Sequence, residues 1–273
     1  MGAKRIGIVA PASRLDQSMV GPVQTLARTM GQPVELLFHP QCFLSSGHFA
    51  GDDAARARAF LEVANDPGFD ALWVARGGYG SARIAGTVIA QLGDAARQKV
   101  YLGYSDAGAL LAGLYRAGCR VAHGPMPADI LRARGETAVA RALGWLARGD
   151  ATALEPSLDS ATPAAAFNMI VFSQILGTAL EPDLSGHVLM LEEVSEHLYA
   201  IDRTMLHITS VPSIRRVAGI RLGRVSDILP NEPQFGQTEE EIVRHWCRVS
   251  AIPYLGRADI GHDAANKIVP FGT

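Results

Sequence analysis

Cysteine is scarce in this chain: the three present, Cys42, Cys119 and Cys247, are far apart and form no Cys-x-x-Cys pair. An odd, scattered set argues against a disulfide framework and fits a reducing compartment, with each thiol acting as a small buried apolar side chain. Lys and Arg form no run and the net charge is -2, so no basic surface is offered to a nucleic acid. Long apolar runs are missing, and no stretch approaches the length that spans a bilayer. Lys4-Arg5 does precede an apolar run, the opening of many signal peptides, but the run is too short and ends at Pro11. It reads better as a first β-strand. The expectation is a soluble, cytoplasmic protein with neither nucleic acid nor membrane as partner.

Two cofactor signatures are also absent. No His-Glu-x-x-His occurs, and His187, His197 and His207 recur at a spacing that suits metal ligands on neither a helix nor a strand. No Gly-x-Gly-x-x-Gly follows a strand, which removes the dinucleotide fingerprint of a nicotinamide enzyme. No metal and no cofactor are therefore expected. The chain has no internal repeat and no low-complexity tract.

What is present is a sequence built to fold. Its 273 residues are 48% hydrophobic and 19% charged, enough for one large domain or two modest ones. Short apolar runs at Arg5 to Ala10, Val34 to Phe38, Ala71 to Ala75 and Val100 to Tyr104 predict strands. Helical patterns fill Gly21 to Met30, Asp52 to Asn65, Ser81 to Leu92 and Asp106 to Ala117. Strands alternating with helices imply a parallel sheet covered on both faces. The rhythm changes near residue 125. A helix is expected over Ala138 to Leu146, and Gly149 to Ala166 has the composition of a linker or surface loop. A second block then begins with a helix from Phe167 to about Leu176. It continues with strands at Val188 to Leu191 and Ala218 to Val225 and helices at Ala200 to Ser210 and Thr238 to Cys247. The predicted fold is α/β: an N-terminal parallel-sheet lobe over 1–125, a connection over 126–166, and a smaller C-terminal α/β lobe over 167–273.

Four motifs carry possible chemistry, each with a plainer reading beside it. In Gly103-Tyr104-Ser105-Asp106-Ala107 a serine lies between a strand and a helix, where it is either an exposed nucleophile or a helix cap. Arg76-Gly77-Gly78-Tyr79-Gly80 is either a backbone cradle for an oxyanion or phosphate, or a tight strand-to-helix turn. Leu191-Glu192-Glu193 ends an apolar strand. Neighbours on a strand point to opposite faces, so one carboxylate at most faces a given site, unless both belong to a solvated strand end. That geometry suits a two-carboxylate glycosidase poorly. Gly261-His262-Asp263 puts a histidine in a loop, where it reaches a pocket or stays on the surface. His123, opening His-Gly-Pro-Met, borders the same region and is assigned no chemistry.

Taken in order, these motifs resemble the LD-carboxypeptidases, serine peptidases that include murein tetrapeptide carboxypeptidases and microcin C immunity peptidases. The resemblance also runs through Ala10-Pro11-Ala12-Ser13, His123-Gly124-Pro125-Met126, Leu176-Gly177-Thr178 and Ile201-Asp202-Arg203, so it covers essentially the whole chain. It implies a site between two lobes and a homodimer. Residue by residue, it implies Ser105 as nucleophile, His262 as base and then acid, Glu192 as the carboxylate orienting His262, and the N–H groups of Gly78 and Asp106 as the oxyanion hole. Such roles answer a chemical need, because a serine hydroxyl is a weak nucleophile until a neighbouring base takes its proton.

The chain departs from the family in three places. Ala166-Phe167-Asn168 stands where Gly-Gly-Asn is usual, and Phe167 is expected to narrow or reshape the cleft. The acidic pair is Glu-Glu where Glu-Asp is common, which leaves the first carboxylate in place. The chain ends at Thr273, where a longer tail is expected. The implied activity is hydrolysis of an L–D amide bond, releasing a terminal D-amino acid such as D-alanine from a murein peptide. A related amidase acting on a peptidyl-nucleotide or another amide is the alternative. A two-lobed protein that binds a small ligand without chemistry is the reading from another class; nothing in simple binding needs the serine, glutamate and histidine together.

Overall fold

The computed structural model describes residues 3–31 and 33–272; Thr273 lies outside them. The N-terminal half alternates strand and helix as expected. Its elements are β1 (Lys4–Val9), α1 (Val20–Thr29), β2 (Val34–Phe38), α2 (Asp53–Asn65), β3 (Ala71–Val74), α3 (Ser81–Ala90), α4 (Asp94–Arg97), β4 (Val100–Gly103), α5 (Ala107–Arg116), β5 (Arg120–His123) and α6 (Gly135–Arg148). The C-terminal half holds β6 (Ala164–Asn168), α7 (Met169–Ile175), β7 (Val188–Val194), α8 (Leu198–Ser210), β8 (Gly219–Ser226), α9 (Glu239–Val249), β9 (Tyr254–Arg257) and β10 (Val269–Pro270).

Two sheets result. The first has the order β10-β5-β4-β3-β1-β2, parallel throughout except for β10, which runs antiparallel to β5. The second, β6-β7-β8-β9, is parallel. The buried strands of the first sheet show why it is covered on both faces. In β3, Ala71 and Trp73 belong to one apolar cluster while Leu72 and Val74 belong to another, as alternation along a strand requires. The second of these clusters continues into the C-terminal half through Phe167, Leu189, Leu191, Ile220 and Leu222. Helix α5, buried from Ala107 to Leu114, lies within it and packs on α7. Two α/β lobes thus share one continuous apolar core.

The differences from expectation lie in short or small-residue elements. Ala164–Asn168 is a strand, although its first residues fall in the tract with linker composition, and the helix expected from Phe167 starts at Met169. Three consecutive alanines carry no strand pattern; burial between β7 and the apolar cluster decides the outcome. Strands β5, β9 and β10 are short and end on polar residues or proline, so their periodicity is weak. Strand β10 returns to pair with β5, bringing Phe271 against Phe167 with ring centroids 5.0 Å apart.

Candidate active site

The loops that follow the strands of the first sheet converge at their carboxyl ends, where open α/β sheets bind ligands. Ser105 lies two residues beyond the end of β4 and adopts φ 60°, in the left-handed region that a side chain with a Cβ rarely enters. This turn leaves Ser105 partly exposed while Tyr104 and Asp106 on either side are buried. The backbone of Gly77, after β3, passes so near that a Cβ there would lie 3.0 Å from both Cβ and Oγ of Ser105. Ser105 does not cap α5: the N-cap is Asp106, and no side chain closes that end. The helix-cap reading of Ser105 therefore fails.

Asp106 has a side-chain task instead. Its carboxylate accepts the N–H groups of Gly80 at 3.2 Å and Ser81 at 2.8 Å, closing the glycine-rich loop onto the start of α3. Burial raises its pKa, against the pull of those N–H donors and of Arg56. The backbone N–H groups of Gly78 and Asp106 find no hydrogen-bond acceptor among the described residues.

Glu192 comes from β7 in the second sheet, where the pairing with β8 is irregular between Leu191 and Glu193. The irregularity brings Gly223 over Glu192, so that a Cβ at 223 would lie 2.8 Å from the Glu192 Cβ. Glu192 is 0% exposed and Glu193 is 3% exposed, which excludes a solvated strand end. The two carboxylates point to opposite faces, as strand geometry requires. Oε2 of Glu192 lies 2.6 Å from Nδ1 of His262, while its Oε1 has no hydrogen-bond partner among the described residues. Glu193 instead accepts from Asn168 Nδ2 at 2.6 Å, Ile170 N at 2.9 Å and Val194 N at 2.9 Å, fixing the start of α7. Burial pushes the Glu193 carboxyl up to about 7, against those three donors.

His262 lies in the loop after β9 and is buried. Burial works against its charged form, but the Glu192 carboxylate outweighs it and the ring pKa is raised. With Nδ1 held by Glu192, Nε2 is the ring nitrogen left without a protein partner among the described residues. Ser105 and His262 line one pocket of about 320 Å³, together with Gly77, Gly78, Arg76 and Arg132. No hydrogen bond joins Ser105 to His262 among the described residues, a looseness common before substrate arrives.

One part of the neighbourhood was not foreseen, and His123 was expected at its border without a role. Asp129 and Arg132 follow the His-Gly-Pro-Met run, and the i,i+3 spacing of opposite charges was the available signal. His123 lies behind the pocket, with Nε2 3.2 Å from Asn266 Oδ1, and burial lowers it to about 3. Phe167 corrects the expectation of a reshaped cleft. It is 0% exposed, stacks on Phe172 with centroids 4.6 Å apart, and is not part of the pocket wall. Among the described residues, no group of three or more His, Cys, Asp or Glu could hold a metal ion. Among the described residues, no helix is long and apolar enough to cross a membrane. Cys42, Cys119 and Cys247 are free and buried.

The family model described as the LD-carboxypeptidase N-terminal domain matches residues 6–124, and that of the LD-carboxypeptidase C-terminal domain matches residues 165–273. The chain belongs to the LD-carboxypeptidase family. At family level it is a serine hydrolase of small peptide or peptidyl substrates. A putative carboxypeptidase of Synechocystis sp. is 29% identical over 246 residues, covering 88% of this chain and 80% of the relative. Among solved structures, the muramoyltetrapeptide carboxypeptidase of Oxalobacter formigenes superimposes with a TM-score of 0.82 at 22% identity, over 97% of this chain and 93% of that one. The microcin C7 self immunity protein, solved with aspartyl sulfamoyl adenosine, gives 0.80 at 17% identity, over 100% and 92%. These structural likenesses show the shared LD-carboxypeptidase fold.

Proposed function

We propose that this chain is a serine carboxypeptidase that cleaves an L–D amide bond and releases a terminal D-alanine from a murein tetrapeptide. The observation that carries the mechanism is the buried Glu192–His262 contact of 2.6 Å, with His262 lining the same pocket as the strained Ser105. In this reading Ser105 Oγ attacks the scissile carbonyl carbon while Nε2 of His262 takes its proton. Glu192 keeps the other ring proton on Nδ1 and stabilises the imidazolium that forms. The N–H groups of Gly78 and Asp106 receive the negative charge that develops on the carbonyl oxygen. His262 then returns its proton to the departing amine of the D-amino acid, and water, activated by the same histidine, releases the acyl group from Ser105.

The reading assigns the nucleophile to a unit over 1–125, the base and its carboxylate to a unit over 167–273, and the connection to 126–166. It takes the enzyme to be a cytoplasmic homodimer. A peptidyl-nucleotide is the second substrate considered, supported by the likeness in fold to the immunity protein. Incubation with purified murein tetrapeptide, and in parallel with an aminoacyl sulfamoyl nucleoside, separates the two. Release of D-alanine from the tetrapeptide supports the first reading. Cleavage confined to the nucleoside conjugate would replace it with the second.

A further inference from the structure

The contact between His262 and Glu192 fixes one end of the imidazole, but it does not set how far the ring stands from Ser105. A second chain of contacts runs between the two loops. Tyr104, the residue before Ser105, donates its hydroxyl to Asp129 Oδ1 at 2.8 Å. The same oxygen accepts Arg132 Nε at 2.8 Å, and Asp129 Oδ2 accepts the backbone N–H of Met126 at 2.8 Å. Asp129 is 4% exposed, so this carboxylate is spent on three internal donors. Arg132 then donates from Nη1 to the backbone carbonyl of His262 at 2.7 Å, and the Tyr104 ring packs on the His262 ring with centroids 4.8 Å apart.

We propose that Arg132 is a positioning residue: held by Asp129, it fixes the loop bearing His262 against the turn bearing Ser105. This rests on the assignment of Ser105 and His262 as nucleophile and base. A planar guanidinium suits the task because Nε and Nη1 bind two acceptors in fixed relative directions, which an ammonium on a flexible stem does not. Other contacts brace the far side of the loop. Arg141 Nη1 donates to the carbonyls of Ala264 and Asn266 at 3.0 and 2.8 Å, and Arg224 pairs with Asp263. Arg132 holds the backbone carbonyl of His262 itself.

Arg132 also acts on His262 through charge. The groups that bear on the ring are Glu192 and Glu193 from β7, which favour its charged form, and Arg132, which opposes it. Tyr104 packs on the ring as a neutral phenol, its pKa raised by burial and by Asp129. His123, from β5, is kept neutral by burial and by the His262 charge. Removing the Arg132 charge should therefore raise the pKa of His262, and the acid limb of any reaction at Ser105 should move to higher pH.

The test is the rate at which a small, uncharged alkyl fluorophosphonate modifies Ser105, followed by intact mass against pH in wild type, Arg132→Lys and Arg132→Met. The probe has no terminal carboxylate, so a role for Arg132 in binding substrate would not register. The expectation for Arg132→Met is a rate about a hundredfold lower, the scale of a small misplacement, with the acid limb at higher pH. Arg132→Lys, which keeps the charge but cannot hold both acceptors, should leave the limb near wild type and label about tenfold more slowly. Wild-type rates in both variants, with losses confined to KM for carboxylate substrates, would make Arg132 a substrate receptor and overturn the proposal. Should Arg132→Met fail to fold, Arg132→Lys at the wild-type rate would overturn it alone. An unlabelled wild type would remove the Ser105 assignment and this inference with it, an outcome distinct from unaffected variants of a labelled enzyme.

Discussion

Oε2 of Glu192 lies 2.6 Å from Nδ1 of His262, with the carboxylate fully buried and the imidazole nearly so. The carboxylate thereby fixes the tautomer, leaving Nε2 as the basic nitrogen. Replacing Glu192 with Gln preserves the shape and removes the charge; with Glu192 in the proposed role, turnover should fall by about 10⁴-fold, the scale of a Ser-His-Asp triad that loses its carboxylate. Glu193→Gln faces the other way and should retain turnover within about tenfold. Steady-state kinetics of the two variants decide it, and the reverse ranking would mean that the catalytic register is wrong by one residue.

The same pair sets a pH dependence. His262 has a raised pKa, so kcat/KM should climb as pH rises through that value and the ring becomes a free base. In Glu192→Gln burial acts without its counterweight. The residual activity should then show its acid limb at lower pH. A limb that moves upward would contradict the role given to Glu192.

Glu193 makes a separate prediction about stability. Its carboxyl is pushed up to about 7 from an ordinary 4.5, so the unfolded chain releases this proton first as pH rises. The contribution is fully present below about pH 4.5 and is lost as pH rises through 7. The unfolding free energy from urea titrations should decline between pH 5 and pH 8 by an amount on the order of a few kcal/mol, with the midpoint falling accordingly. Glu193→Gln should flatten this slope, although its amide faces the Ile170 N–H and costs about 1–3 kcal/mol overall. A wild-type midpoint that rises over the same range in step with Glu193 titration would refute it.

Ser105 carries backbone strain at φ 60°. Ser105→Ala should lose turnover by roughly a millionfold with its fold unchanged, and Ser105→Gly should be more stable than Ser105→Ala by about 1 kcal/mol. Thermal melts of both variants test the strain independently of activity; equal stabilities would count against it.

Phe167 gives a prediction that the sequence alone would not. Because it stacks on Phe172 and packs against Phe271 in the shared core, Phe167→Ala should cost about 3–5 kcal/mol and leave KM unchanged. A change of substrate preference at full stability would restore the idea that this residue shapes the cleft.

The contrast between Phe167 and Ser105 marks how far the sequence could be read. The family was legible because the motifs around Ser105, Glu192 and His262 occur in order, and the separate partners of Glu192 and Glu193 agree with the opposed faces expected of strand neighbours. The alternation in β1 to β4 was legible because buried parallel strands are continuous apolar runs. Phe167 was misread because a motif comparison sees a changed residue but not the direction of its side chain. The part played by Arg132 was hidden because its key acceptor is a backbone carbonyl, which leaves no signature in residue type. Strand β9 escaped because Tyr-Leu-Gly-Arg is half-exposed and holds a glycine and an arginine, not an apolar run, and β10 because two residues carry no period.

The most direct test of the serine mechanism is the intact mass of the protein after exposure to an alkyl fluorophosphonate. The account predicts a single adduct on Ser105 in wild type, none in Ser105→Ala, and a greatly slowed one in His262→Ala. An adduct that persists in Ser105→Ala, or that forms at the wild-type rate without His262, would contradict it.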